Sequence, residues 1–207
     1  VLLVLGYLNK RQYDEALAAS AALEERMPDS PIPFNLTGLS YLSQQRVDDA
    51  RQRFRMALEK DPDFLVAYMN LARAALIQKD ISAAESAYRT VLKKDPKHMG
   101  AMLGMSTLAR AQKNEADALK WVQRALDANP GALQPVMILG EYHLRNNEPL
   151  KAATVLSGVR PEQAEQPAIL RLKGMAQLQS GEYASALFTF RRLTEVQPEL
   201  IEGWFQL

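Results

Sequence analysis

Residues 34–62 have the sequence FNLTGLSYLSQQRVDDARQRFRMALEKDP, and this stretch indicates the fold of the whole chain. Gly38 in its first half and Ala50 in its second half are small, so they let two helical backbones approach closely. Large apolar residues between them fill the remaining volume of the interface. Pro62 cannot continue a helix, so it turns the chain away at the end of the stretch. The stretch therefore predicts a pair of helices that pack as a hairpin and end at a proline.

The same features return along the chain at intervals of 34 residues. The prolines of this series, with Ala164 in the place of one of them, are Pro28, Pro62, Pro96, Pro130 and Pro198. The alanines are Ala16, Ala50, Ala84, Ala118, Ala152 and Ala186. A third series contains only small residues, which are Gly38, Ala72, Ser106, Gly140 and Gly174. Chance does not produce phased series of this kind, so the chain is predicted to be a tandem repeat array.

This pattern resembles the tetratricopeptide repeat, in which an aromatic or apolar residue, Leu-Gly, Tyr, Ala-x3-Phe, Ala and Pro are spread over 34 residues. The match is nearly complete at Phe34, Gly38, Tyr41, Ala50, Phe54, Ala57 and Pro62. The resemblance covers the whole chain and implies an all-α fold, a right-handed superhelical solenoid of antiparallel helix pairs. About six repeats are implied, with the array truncated at both ends. The single solenoid would be divided at approximately 1–30 (partial), 31–64, 65–98, 99–132, 133–166 (irregular), 167–200 and 201–207 (partial).

The phase of the repeat also predicts the individual helices. First helices are expected at about 33–45, 64–78, 98–112, 132–145 and 167–180, and second helices at about 48–60, 82–94, 116–128, 149–157 and 183–196. Val1–Asn9 and Arg11–Met27 would form an earlier pair, and Leu200–Leu207 would begin a seventh repeat. Between Gly158 and Pro167 a polar stretch containing Pro161 replaces the end of a second helix. A shortened helix and a loop are expected there, as a hinge or as a tolerated irregularity.

Composition excludes several classes of function. The formal net charge is +1, which gives no electrostatic footprint for nucleic acid or for an anionic membrane. The absence of cysteine excludes disulfides and thiol catalysis, and it is compatible with an oxidising compartment. No apolar stretch reaches the length of a membrane span, so no direct insertion of this fragment is expected. Val1–Leu5 has no basic region before it and no cleavage site after it, so it is not interpreted as a signal peptide.

The sequence contains none of the motifs that usually mark catalytic, metal or cofactor sites. His98 falls in a turn between repeats, and His143 replaces a tyrosine that packs inside the hairpin, so both are interpreted as structural. Asp48 stands at the start of a second helix, where it could act as a cap or as a partner of the helix dipole. We therefore expect no enzyme activity, no cofactor and no metal.

The resemblance implies a site for a protein or peptide partner. In arrays of this family the first helices line the concave face, and their second, fifth, sixth, ninth, twelfth and thirteenth positions face the groove. The implied partner-binding residues are Asn35, Leu39, Leu42, Met69, Asn70, Arg73, Leu76, Leu103, Thr107, Arg110, Met137, Glu141, Leu144, Arg145, Arg171 and Met175. An exposed apolar stripe usually marks a partner site, and methionines make such a site adaptable. The alternative is that neighbouring helices cover part of this stripe.

Two binding modes known in the family do not fit these positions. The clamp for an acidic carboxy-terminal peptide requires polar residues, but only Arg73 fits it, and Leu39, Met69 and Leu103 stand in its other places. The asparagine ladder of repeats attached to sugar-transferring enzymes keeps only Asn70. What remains is a groove for an amphipathic or extended apolar segment, with arginines and Glu141 as polar anchors.

The function predicted from the sequence is a non-catalytic protein–protein interaction scaffold. The stretches 34–62 and 62–96 are similar to repeat lipoproteins of bacterial exopolysaccharide and exosortase systems, which implies a periplasmic or outer-membrane location, with a cytoplasmic location as the alternative. A regulatory or targeting domain of a larger enzyme is the second reading. A nucleic-acid binder is disfavoured by the neutral charge and the apolar stripe. Self-association through exposed ends is a further alternative.

Overall fold

The computed structural model describes residues 1–198, and the regular structure in this range is helical throughout. The first helices of the hairpins are α1 (Leu2–Asn9), α3 (Pro31–Ser43), α5 (Leu65–Ile77), α7 (Met99–Ala111), α9 (Leu133–Arg145) and α11 (Pro167–Gln179). The second helices are α2 (Tyr13–Arg26), α4 (Val47–Lys60), α6 (Ile81–Lys94), α8 (Glu115–Ala128), α10 (Pro149–Leu156) and α12 (Tyr183–Val196). The all-α, helical-repeat fold class is confirmed. The predicted seventh repeat from Leu200 lies outside the described residues.

The bounds of the helices agree with the prediction to within two residues. The agreement follows from the repeat, because each proline or polar turn marks the same end in every hairpin. The Asp80 carboxylate begins α6 by accepting a hydrogen bond from the Ala83 N–H at 3.0 Å. Asn114 begins α8 in the same way, through the Asp117 N–H at 3.1 Å. These side chains satisfy backbone donors that the first turn of a helix leaves without a partner.

The chain forms two compact units, Val1–Leu108 and a second that begins at Ala109. In the first unit, one core cluster is built around the fully buried Phe54 and joins Phe34, Leu42, Ala50, Ala57, Ala67 and Ala74. In the second unit, the corresponding cluster joins Val136, Leu144, Ala152, Leu156, Ile169, Leu172 and Ala176. Each cluster contains residues of three or more helices, so each hairpin completes its core with its neighbour in the same unit.

The small residues of the first helices allow the close packing that the sequence predicts. A Cβ atom on Gly38 would lie 2.4 Å from Cε1 of Phe54, and one on Gly174 would lie 2.6 Å from Cε1 of Phe190. Both distances are far inside van der Waals contact, so the aromatic ring occupies the place of the missing side chain. At the equivalent Gly140 the neighbour is Leu156, and the distance would be 3.3 Å. The residue that faces each glycine therefore fills the place of the missing side chain, and it does so most tightly where it is a phenylalanine.

The turn inside each hairpin has one conformation in every repeat. A residue in the left-handed region recurs every 34 residues, and these residues are Arg11, Gln45, Lys79, Lys113, Asn147 and Gly181. In the turn between α3 and α4 the Gln45 N–H donates to the Leu42 carbonyl, and the Arg46 N–H donates to the Tyr41 carbonyl, both at 3.0 Å. This pair of bonds is the Schellman motif, which satisfies the last carbonyls of a helix.

Lys79→Gly is expected to raise the free energy of unfolding by about 0.5–1 kcal/mol. The left-handed conformation costs a residue with a side chain about 1–2 kcal/mol, and the greater entropy of unfolded glycine offsets about half of that gain. Urea denaturation followed by circular dichroism measures the change. The matched control is Lys93→Gly inside α6, where glycine should destabilise by about 1 kcal/mol. A loss of stability in Lys79→Gly would contradict the strain assigned to this turn.

The irregular repeat has the shortened helix and the loop that the sequence predicts. α10 contains 8 residues, whereas α4 contains 14. After α10 the chain passes through a single 3-10 turn at Pro161–Gln163 and enters α11 at Pro167. Pro161 has no backbone N–H and cannot extend α10, so the helix ends before it. Whether this segment acts as a hinge stays a prediction.

Candidate partner-binding surface

The structure gives the implied groove residues three different environments. Four of them are buried, with exposed fractions of 8% or less: Asn35, Leu42, Leu103 and Leu144. Seven are partly buried: Leu39, Met69, Asn70, Leu76, Met137, Arg171 and Met175. Five are exposed: Arg73, Thr107, Arg110, Glu141 and Arg145. The expectation that the apolar stripe is open to a partner along its length is therefore corrected at the four buried positions.

Core packing is the reason for this correction. Leu42 belongs to the cluster around Phe54, and Leu144 belongs to the cluster that contains Leu156. Leu39 packs partly buried against two clusters of the first unit. The residues of the stripe that stay in contact with solvent are mainly polar. The alternative considered from the sequence, that neighbouring helices cover part of the stripe, describes these leucines better.

Two pairs of implied site residues are brought together across successive first helices. The Asn70 side-chain amide donates to Oδ1 of Asn35 at 2.8 Å, which gives the buried Asn35 the partner that a buried amide requires. Arg171 donates to Oε1 of Glu141 at 3.4 Å, and the two side chains are 40% and 48% exposed. The first pair stabilises the packing of α3 on α5. The second pair leaves charged atoms available at the surface of the second unit.

One face of α5, in the first unit, stays in contact with water. Val66 is 49% exposed and Ile77 is 51% exposed, with the exposed Arg73 between them. Residues 66, 70, 73 and 77 are spaced so that they lie on one side of a helix. Ala67 and Ala74 on the other side are fully buried. α5 therefore presents two half-exposed apolar side chains, Val66 and Ile77, with the polar Asn70 and Arg73 between them.

Sequence reasoning did not single out Val66 and Ile77, nor Ile32 on α3, which is 36% exposed. Val66 and Ile32 occupy the second position of their repeats, and Ile77 occupies the thirteenth. Both positions face the groove in the family pattern, so the signal was present in the repeat register. The residues implied from the sequence come from the fifth, ninth and twelfth positions, with Asn70 from the sixth, Arg145 from the thirteenth and none from the second.

Both histidines take the structural roles expected of them. His98 Nδ1 accepts a hydrogen bond from the Ala101 N–H at 3.1 Å at the start of α7. His143 Nδ1 lies 2.7 Å from Oε2 of Glu148, which precedes α10. Hydrogen bonds from Lys151 and then from His143 lower the pKa of Glu148 below its ordinary value. The histidines thus organise turns.

Within residues 1–198, no three histidine or acidic side chains come close enough to hold a metal ion. In the same range, no helix combines the length and the apolar character that crossing a bilayer requires. Asp48 accepts a hydrogen bond from Gln78 Nε2 at 2.8 Å, and Gln78 Oε1 accepts one from Arg51 at 2.6 Å. This network ties the end of α5 to α4, so Asp48 acts between hairpins. The N-cap of α4 is Arg46 and no side chain makes a capping hydrogen bond there, so Asp48 is not the cap. It lies in the first turn, where a carboxylate is a favourable partner of the helix dipole.

Comparison with known proteins places these features in a family. The sequence model described as the tetratricopeptide repeat matches residues 1–63, 35–86 and 69–132. Among curated protein sequences, none is significantly similar to this chain.

Solved structures of repeat proteins share the fold. YrrB, a tetratricopeptide-repeat protein with an unusual peptide-binding site, is 16% identical and has a TM-score of 0.57, with 87% of this chain and 93% of YrrB covered. MamA is 15% identical with a TM-score of 0.62, and the match covers 85% of this chain and 96% of MamA. The C-terminal part of a repeat protein from Cytophaga hutchinsonii is 15% identical with a TM-score of 0.69, over 93% of this chain and 77% of that one.

Proposed function

The chain belongs to the tetratricopeptide-repeat family, and from that premise we propose that it is a non-catalytic scaffold that binds a peptide or helix of a partner protein along its first helices. The tetratricopeptide fold generally mediates protein–protein interaction, and its members bind protein or peptide partners. One structure with the same fold, YrrB, has a peptide-binding site. The proposal extends this general role to one surface of the present chain.

The open face of α5 is the observation that carries the proposal. Val66 and Ile77 are each about half exposed, although the alanines of the same helix, Ala67, Ala72, Ala74 and Ala75, are buried. Burying apolar surface contributes about 25 cal/mol per Å², so a partner that covers both side chains gains affinity from them. Met69 lies partly buried on the same face and can adapt its shape to a partner. Arg73 in the middle offers a forked donor for a carboxylate.

The partner that suits this face is a segment with apolar side chains at helical or alternating spacing and an acidic residue among them. The positions implied from the sequence that remain accessible, including Thr107 and Arg73, supply polar contacts at its edge. Association costs of about 4–15 kcal/mol offset much of the gain from burial, so a moderate affinity is expected. The buried Leu42 and Asn35 support the surface from beneath.

Changing Val66 and Ile77 together to aspartate is expected to reduce capture of the partner at least about tenfold, because about 1.4 kcal/mol of lost contact corresponds to that factor. The measurement is a pull-down from a bacterial cell-envelope extract, with quantification of the bands that the unaltered chain captures. Ser86→Asp on α6 is the matched control, since Ser86 is exposed on a second helix of the same unit. Equal capture by the double variant, at unchanged helical content, would sink the proposal.

We propose further that the partner belongs to a bacterial cell-envelope system that assembles or exports an exopolysaccharide, in the periplasm or at the outer membrane. The similarity of residues 34–62 and 62–96 to repeat lipoproteins of such systems supports this context. Identification of the captured band by mass spectrometry tests it. A band that is a cytoplasmic enzyme would instead favour the second reading, a regulatory or targeting domain.

A further inference from the structure

Phe188 on α12 is a large apolar side chain at a position that is otherwise occupied by small or polar residues. Its exposed fraction is 75%. The residues at the same position of the earlier second helices are all exposed and either small or polar: Ala18, Gln52, Ser86, Lys120 and Thr154. Gln52 is exposed although α5 follows it in the same unit. A hairpin that continues the array therefore leaves this position open, and it would not cover Phe188.

The neighbouring Leu187 is also exposed, but the residues at its position in earlier repeats differ in exposure from those at the position of Phe188. It is 54% exposed, but its counterparts Arg51 and Glu85 are partly buried. Arg51 donates to Gln78 at the end of the next first helix, so this position belongs to the contact between hairpins. Position 187 therefore corresponds to a surface that contacts a following hairpin in the first unit, whereas position 188 does not. The exposure of Phe188 requires another explanation.

Phe188 borders a depression of about 460 Å³ in the surface of the second unit. Lys173 and Gln177 of α11 form one wall, and Glu165 and Arg192 close the ends. On a helix, Lys173 lies about 200° away from both Arg171 and Met175, because successive residues are about 100° apart. The depression is therefore on the opposite side of α11 from the face that the partner-binding proposal uses.

Among the cations near the Phe188 ring, some have a carboxylate partner within residues 1–198 and others do not. Arg192 donates to Glu165 and also to Glu195, so both carboxylates near the depression are already bound. Gln177 is occupied as well, because its carbonyl accepts a hydrogen bond from Thr189 at 2.7 Å. Within residues 1–198, neither Lys173 nor the exposed Arg191 has a carboxylate within ion-pair distance. Lys173 in the wall of the depression, and Arg191 outside its lining but one turn after Phe188, can therefore bind an acidic partner.

We propose that this depression is a second docking site, for a peptide segment in which an apolar side chain packs on Phe188 and a neighbouring carboxylate binds Lys173 or Arg191. An exposed aromatic ring gains free energy when it is covered, and a charge-assisted hydrogen bond fixes the orientation of what covers it. Arg191 lies one turn after Phe188 on α12, so one short segment can reach both. The site is independent of the open face of α5.

The test uses a fluorescein-labelled octapeptide of alternating aspartate and leucine, with an asparagine–leucine octapeptide as its uncharged counterpart. Fluorescence anisotropy is expected to show binding of the acidic peptide that weakens as salt is raised, because salt screens exposed charges. Phe188→Gln is expected to weaken binding about tenfold, and Lys173→Gln by about three- to tenfold. The matched control is Lys120→Gln, which removes an exposed lysine at the position equivalent to Phe188 on α8.

Three outcomes would overturn the proposal. The first is no binding of the acidic peptide at millimolar concentration, and the second is equal binding of the uncharged peptide. The third is sedimentation that shows a dimer of the unaltered chain and a monomer of Phe188→Gln, which would make a second copy the occupant. The acidic peptide also has the alternating apolar and acidic character proposed for the α5 partner. Phe188→Gln and Lys173→Gln are therefore measured in the Val66 and Ile77 aspartate background, which removes that face, so failure of this site and failure of the α5 face are distinguished. Circular dichroism confirms that Phe188→Gln, a change at an exposed position, keeps its helices.

Discussion

Replacing Gly38 by leucine is expected to lower the free energy of unfolding by about 3 kcal/mol, the upper end of what overpacking a core usually costs. Even the first carbon of a side chain at this position would lie 2.4 Å from Cε1 of Phe54. The ring cannot move aside easily, because Phe54 is fully buried in the core cluster of the first unit. Gly38→Ala should already destabilise by about 1–2 kcal/mol. Urea denaturation monitored by circular dichroism measures both changes.

Gly140→Ala is the matched control for this prediction. Gly140 holds the same position in its repeat, but a Cβ atom there would lie 3.3 Å from Cδ2 of Leu156, which a small rotation of the leucine relieves. A change below about 1 kcal/mol is expected. Combining Gly38→Ala with Phe54→Leu reproduces the Gly140–Leu156 pairing and should recover part of the loss. Additive costs in the double variant would show that the two residues do not compete for the same space.

The 34-residue period is why so much of the fold follows from the sequence. Each helix is bounded by the same kinds of residue in every repeat. The helix bounds predicted for one repeat can therefore be checked against the equivalent residues of the others. The left-handed turn residues are the exception. Asn147 and Gly181 tolerate this conformation, but Arg11, Gln45 and Lys79 do not favour it, so composition carries no signal there. The packing of the two helices of a hairpin imposes this left-handed turn. Because that packing exists only in the folded chain, the residue types at the turn do not reveal it.

The candidate site was predicted less completely, because exposure depends on how closely one hairpin covers the next. The register predicts that the first-helix positions form a face, but it does not distinguish Leu42, which is buried, from Leu76, which is partly open. It also does not show that Asn35 and Asn70 bond to each other. Phe188 could have been found from the sequence, since its counterparts in the other second helices are small or polar.

Leu42→Asp is expected to unfold the first unit or to destabilise it by about 4 kcal/mol or more. Leu42 is 6% exposed and packs in the cluster with Phe54 and Ala50, so the variant loses apolar contact and also places a carboxyl group in the core. Loss of a buried leucine contributes about 2–5 kcal/mol, and burial of an unpaired polar group adds to it. Thermal denaturation by circular dichroism is the measurement.

The pH dependence of the same variant identifies the mechanism. Burial raises the pKa of a carboxyl group, so the folded variant would hold its proton more tightly than the unfolded chain does. Stability is then greatest below the ordinary aspartate range and falls as pH rises through the raised value. Leu76→Asp, at a partly exposed position of the neighbouring first helix, should be milder and nearly independent of pH above about 5. If Leu42→Asp unfolded at the same temperature as the unaltered chain, Leu42 would belong to the open surface. In that case, weakened partner capture by this variant would report a lost contact instead of a lost fold.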